Sequence, residues 1–429
     1  GHSRGLFAPT IRYHEGTFYI ICTNVSYGGN FIITAQNPAG PWSEPHYIEG
    51  ADGIDPSLFF DEDGTCYYIG THPNPAGCQY DGDWYIWIQE LDIENMKLVG
   101  EVHNVWNGAM RNIIWPEGPH LYKIGEYYYI MHAEGGTGPD HAVTVCRSKN
   151  VYGPYENNFC NPILTHRPLG RKYPIRYVGH ADLVKTINDE WYMVMLAVRP
   201  LEGYTTMGRE TFLARVEWEN DWPVVNPGVG RLTDTVEINL PKWTAYTAES
   251  NEYVFSTMGQ LPPEFMVLRN ADKSHYSLEK GKGLLMLFDT HTLKEQASPS
   301  YLALRQKHHH FMAKALLDVS NLSEDKRAGI AYVQNNLYNL RVEVNGKMAE
   351  VILCEKGTDR RVISMPLQGS NPLEVSLEVD GLSAAVIIEG QKSPEVDIRT
   401  LSTEAAGGFT GCTVGLYAVA DTENTDCAC

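Results

Sequence analysis

Four side chains in this chain combine type and setting in a way that could support chemistry: Asp55, Glu117, His180 and Arg209. Glu117 lies in Ile113-Ile114-Trp115-Pro116-Glu117-Gly118-Pro119-His120-Leu121-Tyr122, a lone carboxylate among apolar and aromatic residues between two prolines. Losing water raises a carboxyl pKa towards the range of a general acid. The plain alternative is a Glu that caps a turn. Asp55 sits in Gly53-Ile54-Asp55-Pro56-Ser57 and His180 in Val178-Gly179-His180-Ala181-Asp182, again with apolar flanks. Arg209 follows Gly208 and precedes a strand-like run. Its guanidinium could grip a hydroxyl or a carboxylate, or pair on the surface with Glu210 or Glu217.

A repeat positions these residues. A strand–turn–strand pattern opens at Phe7, with Glu15-Gly16 as its turn, and returns at Ile54, Glu117 and His180, that is 47, 63 and 63 residues apart. Alternation, aromatics and β-branched residues mark both arms of each hairpin. Further strands follow at 31–35, 84–89 and 142–146, and no helical periodicity of useful length intervenes. Such a spacing suits the four-stranded blades of a β-propeller, whose first strands line a central channel. The openings at Phe7, Asp55, Glu117 and His180 therefore converge.

Composition narrows the partners. The net charge of −19 disfavours nucleic acid and anionic membranes. No apolar stretch has the length of a membrane span. Nine scattered cysteines, an odd number, read as free thiols in a reducing, cytoplasmic setting. A homo-oligomer is compatible with all of this. The propeller is expected over 1–240, a Pro-rich linker over 241–262, and an antiparallel β-sandwich over 263–429, where short alternating strands recur at 276–279, 284–287, 313–317, 340–344, 349–353 and 373–379. His308-His309-His310 is read as part of a partly exposed strand, since neighbours in a strand face opposite sides. The fold class is all-β throughout.

On these residues the first domain closely resembles glycoside hydrolase family 43, the five-bladed propellers that include β-xylosidases, α-L-arabinofuranosidases and arabinanases. Gly53-Ile54-Asp55-Pro56-Ser57, Trp115-Pro116-Glu117-Gly118-Pro119, Val178-Gly179-His180-Ala181-Asp182 and Met207-Gly208-Arg209-Glu210-Thr211 carry the likeness, in the family's order. Leu261-Pro262-Pro263-Glu264 and Gly408-Phe409-Thr410-Gly411 resemble the concanavalin-like sandwich of exo-acting members. The resemblance implies an O-glycosidase with Glu117 as general acid and Asp55 as the carboxylate that tunes and orients it. It implies that His180 lies near substrate or a central calcium or sodium ion, and that Arg209 contacts the sugar. Phe7 stands where the family commonly has Trp, and Phe409 is a candidate for the second domain's wall of the pocket. No cofactor is required. The expected substrate is a xylo- or arabino-oligosaccharide, cut from its non-reducing end.

One departure matters. The family inverts configuration with an Asp base acting against the Glu acid across roughly 6.5–9.5 Å. The base belongs to a Tyr-Pro-Asp-Pro-Ser-like motif in a first blade, and only four blades are visible here, so that blade and the general base are expected to be missing. The sandwich is likewise expected to stop before its last strand. Taken without the resemblance, Asp55 would be the base and Glu117 the acid. Three readings stand: a piece of a longer hydrolase, a chain using another carboxylate or a partner's, or a catalytically silent sugar-binding propeller.

Overall fold

The computed structural model describes residues 4–241, 251–269, 275–320, 322–422 and 427–428. Of the expected linker, residues 242–250 lie outside the described residues. The chain divides into two compact units, Gly1–Val198 with Glu210–Pro241, and Arg199–Arg209 with Lys242–Cys429.

The first unit consists of four antiparallel sheets in chain order. The first holds β1 (Thr10–His14), β2 (Thr17–Asn24), β3 (Gly29–Ala35) and β4 (His46–Tyr47). The second holds β5 (Ile54–Phe60), β6 (Cys66–Pro73), β7 (Trp84–Asp92) and β8 (Lys97–Trp106). The third holds β9 (Glu117–Ile124), β10 (Tyr127–Glu134), β11 (Ala142–Ser148) and β12 (Glu156–Asn157), with β13 (Leu164–Thr165) also on β11. The fourth holds β14 (Arg176–Lys185), β15 (Trp191–Val198), β16 (Glu210–Glu219) and β17 (Trp222–Val225). This is the propeller architecture.

Side-chain alternation explains the packing. Residues of one parity on each strand enter the space between consecutive sheets: Ile21, Ile32, Leu58 and Trp87 fill the first gap, Ile69, Ile86, Leu121 and Ile130 the second, and Met131, Val143, Met193 and Ala214 the third. On β1 the other parity leaves Ile11 and Tyr13 exposed.

The first strands share a common axis. Arg12 of β1 bonds Asp182 of β14 and His120 of β9, and Ser57 of β5 donates to the Pro119 carbonyl of β9.

The second unit is a sandwich. Among the described residues its strands are β18 (Tyr276–Glu279), β19 (Gly283–Leu287), β20 (Ser300–Arg305), β21 (His310–Leu317), β22 (Lys326–Asn335), β23 (Tyr338–Val344), β24 (Met348–Glu355), β25 (Thr358–Pro366), β26 (Leu373–Asp380), β27 (Ser383–Ile388), β28 (Gln391–Lys392), β29 (Val396–Asp397), β30 (Thr413–Ala420) and β31 (Cys427–Ala428), and a short α-helix, α1, spans Thr403–Ala406. A six-stranded sheet, β20-β30-β22-β23-β24-β25, faces a sheet of order β21-β26-β27-β28. Leu302, Ile330, Leu340 and Val342 from one side meet Leu373, Val375, Leu377 and Val386 from the other. The histidine run departs from the strand expected for it. Only His310 belongs to β21, where it pairs with Asp380 at 2.5 Å, while His308 and His309 lie in the connection after β20.

Candidate active site

Three of the four inner strands carry the same backbone irregularity near their start. In β5 the pairing jumps from Ile54↔Thr71 to Ser57↔Ile69, in β9 from Glu117↔Ala133 to His120↔Met131, and in β14 from Gly179↔Leu196 to Asp182↔Val194. Each jump is a β-bulge, two residues opposing one. The first bulged residue is left-handed in all three strands: Asp55 at φ 52°, Gly118 at φ 57° and His180 at φ 52°. Asp, Gly and His are residue types that tolerate that region comparatively well. Asp55 and His180 are therefore structurally equivalent. Glu117 is one position earlier, level with Ile54 and Gly179, not level with His180 as the sequence repeat suggests.

The offset brings the groups together. A Cβ at Gly118 would lie 2.5 Å from His180 Nε2, so the imidazole packs directly on the residue that follows Glu117. Thr71, the cross-strand partner of Ile54, donates its hydroxyl to the Pro116 carbonyl, which ties the Asp55 strand to the Glu117 strand. Asp55 is buried and Glu117 and His180 are half-buried. Beside Asp55, burial and then the proximity of its carboxylate push the Cys22 thiol up to about 11. Asn30 reaches the approach to Asp55, donating to the carbonyls of Ala51 at 2.7 Å and Gly53 at 3.3 Å.

The run leading into Glu117 is clamped. Trp115 is left-handed at φ 49°; its N–H donates to Gly82 O at 2.8 Å, and Gly135 N–H donates to Ile114 O at 2.9 Å. Side chains at Gly82, Gly108 and Gly136 would come within 2.7 Å of Ile114, 2.2 Å of Ile113 and 2.6 Å of Trp115. Glu134, fully buried, accepts the Ala109 N–H at 2.9 Å and so anchors the same loop. None of these supports was singled out from the sequence, although glycines clustered around a Trp-Pro-Glu run are a usable signal of close backbone approach.

Along the inner strands lies a second polar constellation that sequence reasoning missed. Arg12 donates to both Asp182 oxygens, at 2.8 and 3.3 Å, and to His120 Nδ1 at 3.0 Å. Tyr122 donates to Asp182 at 2.5 Å and accepts the Leu183 N–H at 2.9 Å. Burial holds His120 down at about 4, hence neutral, with Asp182 opposing. Burial would push Asp182 up, but its neighbours His120 and Arg12 outweigh it and hold the carboxyl at about 2.

Phe7 is half-buried, its carbonyl accepting from Cys22 Sγ at 3.2 Å. Arg209 and Phe409 belong to the second unit and are brought together there, the guanidinium 4.9 Å from the ring centroid. Among the described residues no group of three or more His, Cys, Asp or Glu is arranged to hold a metal ion, and Asp182, two residues from His180, is engaged by Arg12.

Comparison with known proteins matches two family models in succession. "Glycosyl hydrolases family 43" covers residues 1–223 and "Beta xylosidase C-terminal Concanavalin A-like domain" residues 253–429. A Butyrivibrio fibrisolvens "Xylosidase/arabinosidase" is 48% identical over all of this chain and 85% of its own length. The Bacteroides ovatus "Non-reducing end alpha-L-arabinofuranosidase BoGH43B" is 36% identical over 96% of this chain and 78% of its own. Among solved structures, the Bacteroides ovatus protein titled "Xyloglucan PUL GH43B" superposes with a TM-score of 0.88 at 32% identity, covering 100% of this chain and 85% of that one. A Bacillus halodurans xylan beta-1,4-xylosidase gives 0.87 at 31% identity, covering 100% and 86%. With Asp55, Glu117 and His180 on the bulged inner strands of a propeller and a concanavalin-like sandwich following it in the chain, this chain belongs to glycoside hydrolase family 43 and is a glycosidase by family.

Proposed function

We propose that the chain acts on hemicellulose oligosaccharides as an exo-acting, inverting glycosidase, removing L-arabinofuranose or D-xylose from non-reducing ends. The observation that carries this reading is the union of the two carboxylate-bearing strands, Asp55 buried on β5 and Glu117 on β9, linked by the Thr71–Pro116 hydrogen bond. In it, Glu117 protonates the leaving oxygen, Asp55 keeps that carboxyl poised, and His180, Phe7, Arg209 and Phe409 hold the sugar. The names of the relatives, xylosidase, arabinosidase and α-L-arabinofuranosidase, support the pentose class. No metal or organic cofactor is invoked.

Among the described residues the acidic side chains of the inner strands are Asp55, Glu117 and Asp182, and Asp182 is committed to Arg12 and Tyr122. A carboxylate held at about 2 is a poor base at neutral pH. The general base is therefore proposed to come from outside these residues. The same observation favours a second reading, binding without turnover. Hydrolysis of xylobiose and of nitrophenyl β-xyloside and α-arabinofuranoside decides, together with calorimetric titration of xylobiose and arabinobiose. Turnover supports the enzyme, and binding alone supports the second reading. Where turnover is seen, Glu117→Ala is expected to lower kcat on xylobiose by about 10²–10⁴-fold. The loss on nitrophenyl glycosides should be smaller, because that leaving group needs little protonation. Equal activity of the two proteins on xylobiose would remove Glu117 from the acid's role.

A further inference from the structure

Arg209 reaches its place through a segment that leaves its own sheet. Arg199–Arg209 joins β15 to β16, yet it packs as part of the second unit. Its tip is a tight turn in which Leu201 and Tyr204 exchange backbone hydrogen bonds around left-handed Glu202 and Gly203. From there the backbone is taken up residue by residue. The Thr205 N–H donates to Glu404 Oε2 at 2.7 Å and its hydroxyl to Oε1 at 2.8 Å, while its carbonyl accepts the Thr403 N–H at 2.9 Å. The Thr206 carbonyl accepts the Cys412 N–H at 2.7 Å, and its hydroxyl accepts from Gln306 at 3.2 Å. Thr205 and Thr206 are both buried.

Gly208 then pairs with Thr410, and the crossing is too close for side chains. A Cβ on Gly208 would lie 2.2 Å from Gly411 N, and one on Gly411 would lie 2.0 Å from Met207 O. Arg209 emerges from this crossing with its guanidinium over Phe409, which belongs to the same Phe409-Thr410-Gly411 run. Of all these anchors, Glu404 alone contributes a carboxylate, and both its oxygens close on one residue. Charge-assisted hydrogen bonds of this kind are the stronger and more directional ones.

We propose that Glu404 is a positioning residue for Arg209: its two-point hold on Thr205 sets the loop whose end presents the Arg209–Phe409 pair to the sugar. The proposal rests on Arg209 contacting substrate, as put forward above. Glu404 touches neither the sugar nor the reacting atoms, so its loss weakens sugar binding and leaves the chemical step at Glu117 in place. A misplacement far from the chemistry can still cost up to about 100-fold.

The test pairs kinetics on a nitrophenyl pentoside with amide hydrogen exchange over 199–209 in the full chain. In Glu404→Ala, KM is expected to rise about 10-fold with kcat nearly unchanged, which is the signature of lost uniform binding. Exchange at Thr205 and its neighbours should quicken. Glu404→Gln keeps a carbonyl acceptor and should recover most of both effects, and Thr205→Val should show a weaker form of the Ala phenotype. Glu404→Ala combined with Arg209→Ala should be no worse than Arg209→Ala alone. Unchanged exchange in Glu404→Ala, or losses that multiply in the double variant, would overturn the positioning role. If Arg209→Ala by itself leaves KM unchanged while exchange still responds to Glu404→Ala, it is the substrate contact of Arg209 that fails.

Discussion

Gly118 meets two demands at once, a left-handed backbone and the His180 imidazole against its α-carbon. An L-residue there costs about 1–2 kcal/mol in backbone alone, and overpacking a well-filled site adds about 1–3 kcal/mol. Gly118→Ala is therefore expected to lower stability by about 2–5 kcal/mol in denaturant titration, and to reduce activity by displacing His180 from its place against Gly118. Unchanged stability would mean that the bulge in β9 relaxes without it. The same bulges clarify what the residue types meant. Asp55 and His180 are polar strand openings, and the left-handed position explains in part why those types stand there. Glu117 has no such backbone reason, since Gly118 takes the left-handed place beside it. Its apolar setting was legible from its flanks, but its one-residue offset from His180 was not.

The inner strands work as elements through Arg12, which joins β1, β9 and β14. Removing one partner of a half-buried ion pair strands the other, so Arg12→Met should destabilise the first unit by about 1–3 kcal/mol. The pair also predicts acid sensitivity in two windows. His120 sits at about 4 when folded against an ordinary 6.5, so the unfolded chain binds its proton first, and stability falls as pH drops from 6.5 to about 4. Asp182 sits at about 2 against 3.8, so its contribution persists above 3.8 and is lost as pH falls on to about 2. The first window amounts to about 3 kcal/mol and the second to about 2 kcal/mol. Denaturant midpoints measured from pH 7 to pH 3 check this, and His120→Gln should flatten the upper window. Sequence alone hid the constellation. In Thr10-Ile11-Arg12-Tyr13-His14 the alternation reads as polar residues facing water, whereas Arg12 faces the axis and it is Ile11 and Tyr13 that are exposed. Only the convergence of β1 with β14, 170 residues away, gives Arg12 its partner.

At the scale of the whole molecule, the two units hold different kinds of polar interior. In the second, Arg341 lies on the face of β23 opposite the sandwich core, bonded to both Asp359 oxygens at 3.1 and 2.8 Å and to Glu343 at 2.6 Å. Burial favours a neutral Asp359, but Arg341 and Lys294 hold its carboxyl at about 2. This cluster is structural. Arg341→Met is expected to cost about 3 kcal/mol of stability while leaving kcat and KM on a pentoside unchanged, as thermal unfolding beside initial rates would show. A shift in KM would instead mean that the cluster affects substrate binding and is not purely structural. Glu404, in the same unit, should behave the opposite way, because it holds the segment that ends in Arg209.

Local signals were enough to read the all-β class, the propeller-then-sandwich order and the family, because strand alternation, turn chemistry and short motifs are written within a few residues of each other. The strands expected at 276–279, 340–344 and 373–379 lie within observed ones for the same reason. Tertiary structure alone decided the rest: which bulge aligns with which, that Gly118 makes room for His180, that Arg12 closes on Asp182, and that Arg199–Arg209 packs with the second unit. Those facts depend on contacts between residues dozens to hundreds of positions apart. Such contacts are set by how sheets stack and cross, and no local pattern in the chain encodes them.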